Sequence, residues 1–397
     1  MMEHAVSPER STAFAVTMAR TSRLVTGVLS VLLGAAGLAA VLCLWFPSVL
    51  TTPELREIYD MTLIRGLIKA GLLAAFLCGA ASLLLKRRKA LGLTGIGLAG
   101  LATLMGGSQV EVSTPVRASD HLGLDWFLLN LLILATVFVP LEHLFARLPA
   151  QRVFRKGWTT DLAHFGVSHL LVQATVLLTL VPAAVFFRWA VSPTLQSAIA
   201  GQPVLLQFAE ILVIADLTQY TTHRLFHAVP WLWRFHQVHH SAQCLDWLAA
   251  SRLHLVDIVV TRAVGFVPVY VLGFATGPTY AYLVFVSFQA ILIHANVNFR
   301  FGPLRWVLAT PQFHHWHHSA ESEAVDKNFA VHLPVIDLVF GTFHLPGDRW
   351  PARYGLEGDP VPENYARQLA YPFRPSAHPR SPAIRPATPN TPPNTAS

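Results

Sequence analysis

Apolar residues in this chain are gathered into long runs, not spread as the stripes of a soluble helix or the alternation of a strand. The first run, Leu24 to Phe46, has 23 residues, and a helix needs about 20 to cross a bilayer. It is too long for a signal-peptide core, and no small-residue cleavage site follows it. A second run, Gly66 to Leu85, stops at Lys86-Arg87-Arg88-Lys89. A third, Ala90 to Met105, is rich in glycine, and a fourth spans Trp126 to Leu141. Further runs lie at Leu162 to Phe187, Val204 to Ala215 and Leu255 to Ile293. The last has 39 residues and a Gly277-Pro278 break, which predicts a hairpin of two short helices. The Val204 run crosses a membrane only if its helix continues through the polar stretch Asp216 to His227. The pattern predicts an all-α, polytopic membrane bundle of about seven or eight spans.

Composition agrees. Of 397 residues, 53% are apolar and 13% charged, with mean hydropathy +0.45, whereas a soluble domain carries about a quarter charged. A typical cytosolic enzyme and a disordered chain are both excluded. The net charge of +7 lies beside the apolar runs, so it marks topology and not a nucleic-acid surface. Basic residues fall in alternate loops: Arg10, Arg20 and Arg23, then the Lys86 cluster, then Arg147, Arg152, Arg155 and Lys156. The loops between them hold only Arg56, Arg117 and Arg188. This alternation puts the N-terminus, and everything from His223 onward, on the cytoplasmic face. The expected division is a cytoplasmic N-terminus (1–23), a three-span region (24–123), a catalytic domain (124–350) and a Pro-rich tail (351–397) expected to be disordered. The excess of Arg over Lys, with abundant Ala, Leu and Gly, is typical of a GC-rich coding sequence and points to a bacterial inner membrane. Cys43, Cys78 and Cys244 share no metal-like spacing.

Histidine gives the chain its chemistry. Of 19 histidines, 13 fall between His223 and His344. Three clusters stand out: His223-Arg-Leu-Phe-His227, His236-Gln-Val-His239-His240 and His314-His-Trp-His317-His318. Positions i, i+3 and i+4 share a helix face, so each cluster turns two or three imidazoles toward one point. The eight (His223, His227, His236, His239, His240, His314, His317 and His318) exceed the needs of one metal and suit two. The second and third clusters both read H-x-x-H-H-S-A, ending at Ala242 and Ala320, 78 residues apart. That echo predicts two similar helix ends facing one centre.

Imidazole suits iron, zinc, copper and nickel, but a structural zinc site would usually bring in cysteine. So many neutral ligands against a membrane fit a pair of irons that activates dioxygen, with the protein supplying geometry. The chain carries no CxxC and no heme-binding segment, so electrons are expected from a separate donor. The isolated histidines (His4, His121, His143, His164, His169 and His378) read as packing or surface residues. Two readings compete from other classes. A metal transporter would carry its ligands near mid-membrane on discontinuous helices. A non-catalytic lipid-binding protein would have no need of all eight histidines.

In this order and spacing the residues resemble the fatty acid hydroxylase/sterol desaturase superfamily of integral-membrane di-iron enzymes. The resemblance rests on HxxxH at His223–His227 and HxxHH at His236–His240 and His314–His318. It extends to Asp216, Tyr220, Arg224, Leu232-Trp233-Arg234-Phe235, Asp326-Lys-Asn328-Phe329 and Asp337-Leu-Val-Phe340-Gly341-Thr342-Phe343. It covers about Asp125 to Pro346; the three-span region before it has no counterpart. It implies an all-helical membrane fold with a cytoplasmic cap holding two non-heme irons. It also implies O2-dependent hydroxylation of a C–H bond in a fatty acyl, sterol-like or other membrane lipid. The electrons would come from a reductase with a ferredoxin or cytochrome b5-like carrier. Lipid desaturation and ether-lipid monooxygenation are the alternatives on the same site, and the HxxxH spacing favours the hydroxylase/sterol branch. The resemblance further implies a ninth ligand, His294 in Ile293-His294-Ala-Asn296. Asp216 and Asn328 are expected to orient imidazole N–H groups, and His315 to face away from the cluster. His254 falls in a segment that many members write R-x-H-P-x-E, with Leu255 here for the proline and Asp257 for the acid.

Overall fold

The computed structural model describes residues 8–52, 56, 59–84, 89–112, 122–356 and 361–374. The chain forms two compact units, Met1–Leu132 and Ile133–Ser397. Among the described residues there is no strand, only isolated bridges pairing Ala146 with Val297 and Ser319 with Tyr354.

In the first unit, helices α1 (Pro8–Trp45), α2 (Met61–Leu84) and α3 (Lys89–Leu104) pack against one another. In a bilayer helices associate by close packing, which favours small residues at the contact. Ser30 Oγ donates to the Ala75 carbonyl at 2.7 Å. A Cβ placed on Gly95 would stand 2.0 Å from Ser30 Oγ, and one on Gly34 would stand 2.7 Å from the Gly95 carbonyl oxygen. Helix α4 (Leu124–Leu144) carries Asp125 in its first turn, whose carboxylate accepts from the Thr52 backbone N–H at 3.0 Å and the Tyr59 hydroxyl at 2.8 Å. The Lys86–Arg88 and Arg117 positions that argued for orientation lie outside the described residues.

The second unit continues with α5 (Trp158–Leu170), α6 (Val172–Phe186), α7 (Pro193–Ala200), α8 (Val204–Ala228) and α9 (Pro230–His240). After these come α10 (Leu255–Leu272), α11 (Thr276–Leu292), α12 (Pro311–His317), α13 (Pro334–Val339) and α14 (Tyr365–Ala370). Helix α8 does run unbroken through the polar stretch. Its buried Asp216 carboxylate is satisfied by the backbone N–H groups of Val331, His332 and Leu333 at 2.9, 3.1 and 2.6 Å, so burying it leaves no unmet acceptor.

Six helices among the described residues are long and apolar enough to cross a membrane: Thr26–Trp45, Met61–Leu84, Lys89–Gln109, Leu124–Leu144, Val204–Ala228 and Leu255–Leu272. The remaining apolar runs form shorter helices. Leu162 to Phe187 divides at Leu171 into α5 and α6, and the hairpin's second arm, α11, has 17 residues. The hairpin break falls slightly before the expected Gly277-Pro278. Helix α10 ends at Gly273, whose φ of 69° suits glycine, while Pro278 sits in the first turn of α11, where its missing N–H has no intrahelical partner to lose.

The tail departs from expectation. Residues 351–356 and 361–374 are folded, not disordered. Asn364 caps α14 by accepting from the Ala366 N–H at 3.0 Å, and buried Gln368 donates to the Pro362 carbonyl at 2.7 Å and lies with its side-chain oxygen 2.7 Å from His164 Nε2. These specific bonds order a segment whose composition alone reads as coil. Residues 375–397, to which the same expectation applied, lie outside the described residues.

Candidate metal centre

Each histidine cluster occupies a helix end in the second unit. His223 and His227 are one turn apart near the end of α8; Val229-Pro230 then stops that helix and starts α9, because proline is accommodated at the first helical position. Helix α9 delivers His236, His239 and His240 in its last turns. Helix α12 begins at Thr310, whose hydroxyl caps the Phe313 N–H at 3.3 Å, and carries His314 and His317, with His318 just past its end. His294 follows α11. The chain after it is fixed by Glu142, whose carboxylate accepts from the backbone N–H groups of Asn296 (2.9 Å) and Trp247 (2.7 Å).

The nine imidazoles form two buried groups. His223, His227, His236, His240 and His317 make one, and His239, His294, His314 and His318 the other; within each, one ring nitrogen per residue lies within 4.8 Å of all the others. The groups abut, with the His240 ring stacked on His318 at 4.5 Å between centroids.

Hydrogen bonding decides which nitrogen faces inward. A carbonyl oxygen only accepts, so a ring nitrogen bonded to one must carry the proton. His223 Nδ1 donates to the Phe329 carbonyl at 2.8 Å, His239 Nδ1 to Arg252 at 3.0 Å, His294 Nδ1 to Ala290 at 2.7 Å and His317 Nδ1 to Lys327 at 2.8 Å. His236 Nδ1 donates to the Asp257 carboxylate at 2.6 Å. In the rings of His239, His294 and His317, which burial holds neutral, Nε2 then has only a lone pair. Yet His223 Nε2 lies 3.0 Å from His236 Nε2, and His239 Nε2 lies 3.3 Å from His294 Nε2. In the His239–His294 pair both rings carry their proton on Nδ1, so neither Nε2 has a proton to share, and these are converging lone pairs and not a hydrogen bond. Nε2 of His227, His240 and His317 is likewise buried with no hydrogen-bond partner. Burial, then the proximity of like groups, holds His239, His240, His314, His317 and His318 well below the ordinary imidazole range; burial pushes His294 down to about 4. A cluster of neutral, inward-facing lone pairs is a donor set that fits a metal ion.

Among the described residues Asp216 and Asn328 hydrogen-bond to backbone groups and not to an imidazole. Asp216 fixes the backbone of 331–333, as above, and Asn328 donates to the carbonyls of Phe313 (2.8 Å) and His344 (2.7 Å). With Asp337, which accepts from the Phe329 and Ala330 N–H groups at 2.8 Å each, they hold the strip whose carbonyls receive His223 and His317. His315 joins neither group: its Nδ1 meets the Tyr354 hydroxyl at 2.7 Å. His254 caps α10, accepting from the Val256 N–H at 3.1 Å. The sequence reading missed Asp257 as the partner of His236; its one signal was an acid at the expected place in the segment after His254.

The fatty acid hydroxylase family model matches residues 208–342. Ornithine lipid hydroxylase OlsE of Rhizobium tropici is 34% identical over 270 residues, 65% of this chain and 78% of that protein. Alkylglycerol monooxygenase of Homo sapiens is 33% identical over 144 residues, 36% of this chain but only 31% of that protein. Very-long-chain aldehyde decarbonylase GL1-6 of Oryza sativa subsp. indica is 30% identical over 152 residues, 34% of this chain and 22% of that protein. No solved structure matches the chain. The family match spans all three histidine clusters and the likeness to the bacterial relative runs well beyond them, so the chain belongs to the fatty acid hydroxylase family.

Proposed function

We propose that the protein is a membrane-bound, non-heme di-iron oxygenase that hydroxylates a C–H bond of a membrane lipid. The observation that carries this reading is the pair of abutting, buried histidine groups with their lone pairs turned inward. His223, His227, His236, His240 and His317 would hold one iron, and His239, His294, His314 and His318 the other. Iron bound there supplies reduction of dioxygen and transfer of one oxygen atom to an unactivated carbon. The chain's residues do the rest. Outward N–H bonds fix each ring's tautomer and direction, and burial keeps the imidazoles neutral and excludes water. The lipid approaches between α8 and the α10–α11 hairpin, and a separate carrier provides electrons. The excess of Arg over Lys supports a bacterial inner membrane, the alternating basic loops support a centre on its cytoplasmic side, and the apolar runs and histidine clusters support a three-span region at 24–123 and a catalytic region at 124–350.

The bacterial relative makes an ornithine lipid the first substrate to try, and an alkylglycerol the second. A transporter would need its ligands on discontinuous helices at mid-membrane, whereas these lie at helix ends. The test is metal analysis of detergent-purified protein, with mass spectrometry of lipids from an expressing bacterium. Two irons per chain and lipids heavier by one oxygen atom are expected, both lost in a His317→Ala/His318→Ala variant. Iron-loaded protein with its electron donor that leaves both lipid classes unchanged would overturn the reading.

A further inference from the structure

The two histidine groups differ in how firmly their rings are held. In the five-histidine group four rings have a partner on Nδ1: the Phe329 carbonyl for His223, Asp326 at 3.4 Å for His227, Asp257 for His236 and the Lys327 carbonyl for His317. In the four-histidine group His239 and His294 are anchored on carbonyls, but Nδ1 of His314 and of His318 is buried with no hydrogen-bond partner. The carboxylates also fall on one side. Asp257 is buried, 2.6 Å from His236 Nδ1, and accepts from Thr261 Oγ1 at 3.2 Å. A carboxylate on the outer N–H makes an imidazole a stronger donor through its other nitrogen and fixes its direction.

We propose that Asp257 is a positioning residue that makes the five-histidine group the first to take up metal and the tighter holder, leaving the four-histidine group as the later, exchangeable position. The inference rests on the di-metal reading of the centre. A carboxylate-backed ring, four anchored rings and one more ligand all favour the first group. In the second group two unanchored rings must be ordered when metal arrives, which costs side-chain entropy.

Chelator-stripped protein in detergent, titrated with buffered cobalt(II), gives both the affinity of each equivalent and its visible spectrum. The unaltered protein is expected to bind two equivalents in separate steps. Asp257→Asn should weaken the first step by about 10- to 100-fold and change its spectrum, while the second stays within about threefold. Asp257→Glu should restore most of the loss, and His294→Ala should remove only the second step. One shared affinity for both equivalents in the unaltered protein would overturn the proposal, as would an unchanged first step in Asp257→Asn or loss of the first step in His294→Ala. These comparisons stand even if Asp257→Asn fails to fold, because the unaltered protein and His294→Ala test the filling order directly. No binding by the unaltered protein would instead overturn the di-metal reading beneath it.

Discussion

His239 and His317 occupy the same place in their two repeats, three residues after the first histidine, and each sides with the other repeat's group. His236 and His240 belong with His317, while His314 and His318 belong with His239. The i and i+4 positions of each repeat serve one group and the i+3 position crosses to the other. The two helix ends thus interlock, and the rest of each group comes from outside the echo: His223 and His227 on one side, His294 on the other.

That crossing gives the first prediction. His239→Ala should cost the four-histidine group its metal, and His317→Ala should damage the five-histidine group, although each change removes one histidine from a similar motif. Metal content should fall from two per chain toward one in either variant, and lipid oxidation by at least about 100-fold. Two retained metals in His239→Ala would break the grouping.

A buried ion network stands behind His239. Arg155 pairs with Asp161 at 2.7 Å and with Asp246 at 2.6 Å, and Asp161 also pairs with Arg252, whose carbonyl receives His239 Nδ1–H. All four side chains are buried. Removing one partner strands a buried charge, so Asp161→Ala should destabilise the protein by about 3–5 kcal/mol. The check is thermal unfolding in detergent. A midpoint within a degree or two of the unaltered protein would show that the network relaxes freely.

Much of this was legible in the sequence, for identifiable reasons. The eight clustered histidines declare themselves because a helix face converts spacing directly into proximity. Five of the six helices long and apolar enough to cross a membrane follow from apolar runs, while α8 reaches that length only by continuing through Asp216 to His227. His294 stands alone in the sequence and is not visible from spacing; it enters its group through the turn after α11, held by Glu142 from α4, a contact between positions 142 and 296. Asp216 and Asn328 were legible as important but not in their manner of acting, since a side chain that bonds backbone N–H and carbonyl groups leaves no pairwise pattern. The order of residues 361–374 depends on Asn364 and Gln368, which composition cannot distinguish from linker residues.

The first unit offers a separate test. Gly95 lies so close to α1 that a Cβ would stand 2.5 Å from the Ser30 backbone carbon as well as against its hydroxyl. Backbone cannot yield as a flexible side chain does, so Gly95→Val should force α1 and α3 apart and cost about 1–3 kcal/mol. All nine histidines lie in the second unit, so metal content of the folded fraction should stay at two. Unchanged thermal stability in this variant would argue against the close α1–α3 approach.

Acid should destabilise the fold through His332 as well as through the metal centre. Its side chain is buried, with Nε2 3.2 Å from the Tyr282 hydroxyl. Burial pushes its pKa down to about 4, against about 6.5 in an unfolded chain. Above pH 6.5 the ring is neutral in both states and the group contributes no pH dependence. Between pH 6.5 and 4 the unfolded chain binds a proton that the folded chain refuses, so folding loses about 1.4 kcal/mol per pH unit from this residue. His332→Gln removes the titrating group. Unfolding free energies measured at pH 7.5, 6.0 and 5.0 should therefore fall less steeply in the variant, by about 1–2 kcal/mol over that range. Parallel profiles for the two proteins would mean that His332 titrates normally and its ring reaches water.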